Sequence, residues 1–380
     1  MSLKTRYLKP YINEDIEKKM VFIGGPRQVG KTTLALSFLD PPSEKNKAYL
    51  NWDIEHQRSS IIKGELPSKQ EIIIFDEIHK YSRWRNLLKG HYDYNKSDVS
   101  FIVTGSARLD HYRKGGDSLF GRYFYYRLHP FSLMELNKDP NHSDMEALLE
   151  YGGFPEPFLS ANKKTQKRWQ RERLTRVVYT DINDIENVKD ISLIQLLVES
   201  LPDRVGSPLS IGSLKEDLQV SFQTAAKWLD ILDSMYLTFR ISPFGAPKIR
   251  AVKKEQKLYF WDWSMVSDDG NRFENFVACQ LLKYCHFIED TEGDLMELRF
   301  IRDTDKREVD FVVLRNKKPL FAIECKSKNR GISPHIKYFK ERTDIPNFYQ
   351  VHRKDKDFGN EKTTGRVLPF TVFCKELGMP

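Results

Sequence analysis

Cysteine is scarce, with four in 380 residues (Cys279, Cys285, Cys325 and Cys374) and none in a CxxC or zinc-type spacing. That argues against a disulfide framework and fits reduced thiols in a cytoplasmic setting. Long apolar runs are also missing. Ile72-Ile73-Ile74-Phe75 is typical of the aliphatic stretches, and none nears the ~20 residues a membrane helix needs. No membrane partner is expected. The opening MSLKTRYLKP has no apolar segment of the kind a secretory signal requires. No segment carries charge of one sign. The 61 Lys+Arg and 53 Asp+Glu give a net +8, and the two signs nearly balance within residues 1–150, 151–250 and 251–380. Such a distribution permits a nucleic-acid binder without showing one. Internal repeats and low-complexity tracts are absent.

Apolar material is ample. Hydrophobic residues make up 40%, with 24 Phe, 17 Tyr and 6 Trp, enough to bury cores. At ~150 residues per domain the length suggests two or three of them. Short apolar strands are predicted at 20–24, 47–53, 71–76, 99–104 and 123–128, alternating with helices, the pattern of a parallel sheet covered on both faces. From Pro130 the pattern turns helical. Tyr151-Gly152-Gly153-Phe154-Pro155-Glu156-Pro157 breaks it. A basic helix is predicted over Lys163–Arg176, with a solvated face or a phosphate-contacting face as its two readings.

Gly25-Pro26-Arg27-Gln28-Val29-Gly30-Lys31-Thr32 matches G-x-x-x-x-G-K-[ST] in full. A predicted strand precedes it and a helix starts at Thr33. The glycines let successive N–H groups face phosphate oxygens, Lys31 reaches the β- and γ-phosphates and Thr32 ligates Mg²⁺. The nucleotide site is therefore expected at Gly25, Gln28, Val29, Gly30, Lys31, Thr32 and Thr33, with ATP and Mg²⁺ as cofactors. Ile74-Phe75-Asp76-Glu77 supplies the acidic strand end. Asp76 would complete the Mg²⁺ shell and Glu77 would polarise the attacking water. If the 99–104 strand lies between the phosphate-loop strand and the acidic strand, Thr104 or Ser106 stands near the γ-phosphate. Arg122, just before the fifth strand, suits a finger acting in cis or in trans. Arg108 and Arg113 compete for that role, and a surface salt bridge is an equal account of any of them.

GPRQVGKTTL, FDEIHK, VTGSA and the GR…L.PFSLMEL stretch together resemble the AAA-type ATPase module of a large prokaryotic ATPase family, over roughly residues 6–355. The YGGFPEP, FEN and EVDF segments fit the same pattern. The resemblance implies an ATPase module over 1–130, a helical lid or linker over 131–200, a winged helix over 201–265 and a C-terminal domain over 266–380. Residues 210–232 read on their own as helix–turn–helix with Ser221 as an N-cap. The second helix offers Gln223, Thr224 and Lys227 but also Asp230 and Asp233, so DNA binding and plain packing stay open.

In the C-terminal segment, Glu308–Leu314 and Leu320–Lys326 read as a hairpin centred on Lys317. Asp310 then faces Glu324, and Lys326 shares their face. Two carboxylates so close repel unless a cation lies between them. This D…E-x-K arrangement resembles the PD-(D/E)xK nucleases over about residues 270–352. The resemblance implies Mg²⁺ held by Asp310, Glu324 and a helix-borne Glu274, with Lys326 positioning water. The fold class expected is α/β throughout: an AAA-type P-loop sheet, a helical and winged-helix region, and a nuclease-like domain. The functional expectation is an Mg²⁺-dependent ATPase coupled to that domain and acting on or binding DNA. The alternative is a nucleotide-gated switch or assembly ATPase whose C-terminal domain binds a partner without cleaving. A second copy of the chain and another protein are the other candidate partners.

Overall fold

Each of the five strands predicted in the first 130 residues forms. The computed structural model describes residues 5–96, 98–105, 119–181, 191–245, 255–326 and 331–380; Ser106, Arg108 and Arg113 lie outside them. Two compact units divide the chain, Met1–His129 and Pro130–Pro380. Among the described residues no helix is long and apolar enough to cross a membrane.

The first unit runs α1 (Lys9–Asp15), β1 (Met20–Gly24), α2 (Lys31–Leu36), β2 (Tyr49–Asn51), α3 (Glu55–Lys63), β3 (Ile72–Asp76), α4 (Trp84–Asn95), β4 (Ser100–Thr104) and β5 (Tyr123–Arg127). Its strands are all parallel, in the order β2-β3-β4-β1-β5. The later strand β4 therefore stands between the phosphate-loop strand and the acidic strand, as the sequence suggested. Both faces of the sheet are buried, which explains the unbroken apolar runs. Phe22, Ile73, Phe75, Phe101 and Val103 join one core, while the alternate residues Val21, Ile23, Ile74 and Ile102 are equally buried. Helix α1 has no counterpart among the predicted elements; Leu8 and Ile12 bury its apolar side.

The second unit opens with α5 (Leu133–Leu136), α6 (His142–Tyr151), α7 (Pro155–Ser160), α8 (Lys163–Arg176) and α9 (Ile191–Ser200). Next come β6 (Pro208–Leu209), α10 (Ile211–Leu218), α11 (Phe222–Ser234), β7 (Thr238–Pro243) and β8 (Gln256–Phe260). The rest is α12 (Asp269–Glu292), β9 (Met296–Arg302), β10 (Glu308–Arg315), β11 (Lys318–Lys326), α13 (Pro334–Lys340), β12 (Phe348–His352), β13 (Phe358–Asn360), β14 (Gly365–Pro369) and α14 (Phe370–Glu376). Sequence divides this region into three parts. In the structure one nine-stranded sheet, β13-β14-β12-β11-β10-β9-β7-β8-β6, runs through the last two. The join is β7 lying parallel to β9, with Ser242 beside Arg299 and Pro243 beside Phe300.

Local signals behave as expected where they are strong. Ser221 caps α11, accepting from the Thr224 N–H at 3.0 Å. Gly152 ends α6 at φ 77°, and a Cβ on the next residue, Gly153, would lie 2.4 Å from Trp263. Helix α8 keeps Lys163, Lys164, Lys167, Arg168, Arg171 and Arg176 exposed, as the solvated-face reading expects, and turns one basic residue inward. Arg173 is buried, its guanidinium 4.3 Å from the Phe154 ring centroid and donating to the Tyr236 carbonyl at 3.2 Å.

Helix α12 is anchored through Phe273-Glu274-Asn275. Asn275 is fully buried and pairs with one residue of β8, accepting from Phe260 N at 2.9 Å and donating to Phe260 O at 2.7 Å. Replacing Asn275 with Ala strands the Phe260 N–H away from water and leaves its carbonyl only the weak Cys279 thiol donor, at 3.1 Å. We expect a loss of about 2–4 kcal/mol, read as a shifted urea midpoint with an unchanged slope.

Candidate functional sites

The turn joining β1 to α2 gathers Gly25, Gln28, Val29, Gly30, Lys31, Thr32 and Thr33. Its backbone is left-handed at Gln28 (φ 62°) and Gly30 (φ 96°). Gly25 sits at φ 133°, and a Cβ there would come 2.4 Å from the Leu128 carbonyl oxygen, so no other residue fits. Lys31 Nζ donates to the loop's own carbonyls, Gly25 O at 3.0 Å and Pro26 O at 2.7 Å. Arg6 braces the loop from outside, donating to Val29 O at 2.7 Å and to His129 O at 2.5 Å.

The parallel register sets Asp76 level with Thr104 on one side and Asn51 on the other. Three hydroxyls converge on its carboxylate. Thr32 Oγ1 donates at 3.0 Å and Tyr49 Oη at 2.7 Å to Oδ2, and Thr104 Oγ1 donates to Oδ1. Burial, then the Asp76 charge, raises the Tyr49 pKa, so the phenol stays a donor. Thr32 and Asp76 lie side by side, a hydroxyl and a carboxylate oxygen, the donor pair suited to Mg²⁺ in a phosphate site.

Glu77 is built differently. Its backbone is left-handed (φ 57°), an uncommon conformation for a non-glycine residue and one that marks strain. Its Oε2 is buried without a hydrogen-bond partner. His79 Nε2 stands 3.5 Å away and Lys80 Nζ 3.7 Å. Burial first, and then the charge of Asp76, raise its pKa. Arg122, the expected finger, is held by Asp93 of α4, with Nε to Oδ1 at 2.8 Å and Nη2 to Oδ2 at 3.1 Å.

In the second unit the hairpin register matches the count from Lys317. Phe311 pairs with Ile323 and Val312 with Ala322, so the next position outward brings Asp310 across from Glu324. The turn residues Asn316 (φ 53°) and Lys317 (φ 67°) are both left-handed, the geometry of a two-residue hairpin turn. Lys326 pairs with Glu324 Oε1, while Glu324 Oε2 is buried without a partner. Burial, reinforced by the Asp310 charge, pushes the Glu324 pKa up to about 8.

Lys257 of β8 stands among the other carboxylates, and sequence reasoning missed it. It is fully buried. Its Nζ lies 2.5 Å from Glu308 Oε1, 3.2 Å from Glu274 Oε1 and 3.5 Å from Asp310 Oδ1. Burial alone would lower its pKa, but the charges of Glu274, Asp310 and Glu308 carry it well above the ordinary lysine value. Tyr259 Oη also donates to Glu274 Oε1 at 2.8 Å, and Cys325 N donates to Asp310 Oδ2 at 2.8 Å. Glu274, Asp310 and Glu324, the expected metal ligands, are thus divided between two lysines. Among the described residues no group of three His, Cys, Asp or Glu side chains is placed to hold a metal ion.

Residues 17–137 match a family model described as an AAA domain. This stretch is an AAA-type P-loop domain. Two further models, described as domains of unknown function DUF8612 and DUF4143, match residues 142–268 and 269–373. An uncharacterized protein of Methanocaldococcus jannaschii is 24% identical, over 93% of this chain and 87% of its own length. One of Mycobacterium tuberculosis is 23% identical, over 73% of this chain and 67% of its own. Among solved structures, the Orc1 protein of Aeropyrum pernix in complex with DNA is 14% identical with a TM-score of 0.34, covering 72% of this chain and 92% of that one.

In the AAA-type domain the residue that sequence did not single out is Tyr49. Its strand was legible; its position beside Asp76 depends on strand order, which no local pattern encodes. Tyr49→Phe removes one of three hydroxyls from a buried carboxylate. The expected cost is about 1–2 kcal/mol, measured by urea unfolding, with Tyr49→Leu costing more.

Proposed function

We propose that the chain is an Mg²⁺-dependent ATPase whose turnover drives a partner-engaging C-terminal unit. The observation that carries this reading is the contrast between adjacent acids. Asp76 has its charge met by three hydroxyls, whereas Glu77 keeps a buried oxygen with no hydrogen-bond partner. A carboxylate with an open lone pair and a raised pKa is suited to accept a proton from water. The loop backbone and Lys31 would bind the phosphates. Thr32 and Asp76 would hold Mg²⁺, which when bound neutralises phosphate charge. Thr104, fixed on Asp76, would stand beside the terminal phosphate, and Glu77 would orient the attacking water and take its proton. A finger role for Arg122, in cis or in trans, would require its release from Asp93.

For the second unit we read β6, α10, α11, β7 and β8 as a winged helix and the remainder as a nuclease-like domain that binds without cutting. Arg240 supports an accessible α11. It takes up both acids of that helix, Asp230 at 2.5 Å and Asp233 at 2.6 Å, leaving Gln223 and Thr224 as polar groups for a partner such as DNA. The engagement of Glu274 and Asp310 by Lys257 favours binding over cleavage.

Lys31→Ala should abolish ATP binding in a fluorescent-nucleotide titration. Glu77→Gln should retain ATP and lose about 10²–10⁴-fold in turnover. Because the Glu77 pKa is raised, wild-type turnover should climb with pH through a range above that of ordinary carboxylates, and the Gln variant should show no such limb. Equal turnover by wild type and Glu77→Gln would sink the assignment.

A separate expectation concerns DNA. Supercoiled plasmid should stay intact with the protein, Mn²⁺ and ATP. Nicking that disappears in Asp310→Asn would replace the binding reading with a nuclease.

A further inference from the structure

The carboxylates that the nuclease resemblance assigns to a metal are already provided with a cation. Lys257 reaches them from β8, a strand on the far side of β7 and β9 from the hairpin that carries Asp310. An ammonium has three N–H donors in a tetrahedral arrangement. Lys257 has three carboxylate oxygens within reach, one each from Glu274, Glu308 and Asp310. Each of those acids is also held from another side. Tyr259 donates to Glu274, Arg302 Nη1 lies 2.7 Å from Glu308 Oε2, and the Cys325 N–H donates to Asp310. The whole side chain is buried, and its Nζ lies 5.7 Å from the centroid of the Phe300 ring. Lys257 is therefore a packed member of the core and not a surface side chain that has folded inward.

We infer that Lys257 is the resident cation of this cluster, standing where a divalent ion would otherwise be needed and making the C-terminal unit independent of metal. A divalent ion drawing on Glu274 Oε1 and Asp310 Oδ1 would compete with the ammonium for the same oxygens. It would also bring a second positive centre beside a buried one, with no water to screen them. A lysine of opposite effect stands nearby. Lys326 is about one-third exposed and pairs with Glu324, while the Asp310 charge acts on it only at longer range. The inference rests on reading the C-terminal unit as nuclease-like and non-cleaving, and it goes further by naming the group that blocks the metal.

The test is Mn²⁺ titration of the full chain without nucleotide, by calorimetry and by loss of the free-Mn²⁺ electron paramagnetic resonance signal. Wild type and Asp310→Asn should be indistinguishable. Lys257→Met, of similar length and without charge, should gain one Mn²⁺ per chain, and Lys257→Met with Asp310→Asn should lose it again. Thermal unfolding gives a second readout: Mn²⁺ should raise the midpoint of Lys257→Met and leave that of wild type unchanged. A tenfold weaker uptake by Asp310→Asn than by wild type overturns the inference, as does a folded Lys257→Met that gains no site. If Lys257→Met does not fold, the comparison of wild type with Asp310→Asn decides alone. Mn²⁺ held by Asp310 in wild type while plasmid stays intact removes the role given to Lys257 and leaves the non-cleaving reading standing.

Discussion

A carboxylate taken out of water must be met by donors or by positive charge, because its desolvation costs several kcal/mol that nothing else in a core returns. This chain does so repeatedly, and each solution pins together elements distant in sequence. Asp76 is met by hydroxyls from α2, β2 and β4. Glu135, in the stretch that follows the AAA-type sheet, is almost fully buried against Lys283 of α12 at 2.7 Å, with Ser132 on the same ammonium at 2.8 Å. Lys257 ties β8 to α12 and β10. Helix α12 is thus fixed at one end by Glu274 and Asn275 and further along by Lys283. Its placement follows from polar satisfaction as much as from its apolar face.

What could be read from sequence divides along the same line. Strands β1 to β5 were legible because burial on both faces leaves unbroken apolar runs, a local property. The phosphate loop was legible because its glycines and lysine must occur at fixed spacing. The count from Lys317 reached the right β10–β11 pairing although the turn does not set it: the two-residue turn pairs Arg315 with Lys318, and the bulge between Val313 and Leu314 shifts the register by the one residue that brings Asp310 across from Glu324. Tyr49, Glu308 and Lys257 were not, because their roles depend on which strands become neighbours. Lys257 falls within residues 201–265, the stretch expected as a separate winged helix, and only the β7–β9 pairing places it in the sheet of the carboxylates. Strand β13 was missed for a plainer reason: Phe358–Asn360 is exposed and carries no apolar alternation.

Three carboxylate oxygens among the described residues, on Glu77, Glu255 and Glu324, depart from the rule, and those of Glu77 and Glu324 differ in kind. Glu77 Oε2 is unmet next to Asp76 in a strained backbone conformation, a costly arrangement that a purely structural residue gives no reason to keep. Its neighbours His79 and Lys80 lie at 3.5 and 3.7 Å, too far to hydrogen-bond its oxygen and near enough to steady its charge. That leaves the buried oxygen without a hydrogen-bond partner of its own.

Glu324 Oε2 is unmet in the second unit, and there the charges argue otherwise. Glu274, Glu308, Asp310 and Glu324 are four acids; Lys257, Arg302 and Lys326 are three bases in contact with them. One negative charge remains if all four acids ionise. Burial and the Asp310 charge raise the pKa of Glu324 and of Glu274 alike, which lessens the negative charge the cluster has to offset. A divalent ion added to it would leave buried positive charge in excess, unless Lys257 left. Charge and geometry therefore point to the same cation: Lys257 already sits on the oxygens of Glu274, Glu308 and Asp310 that a divalent ion would need.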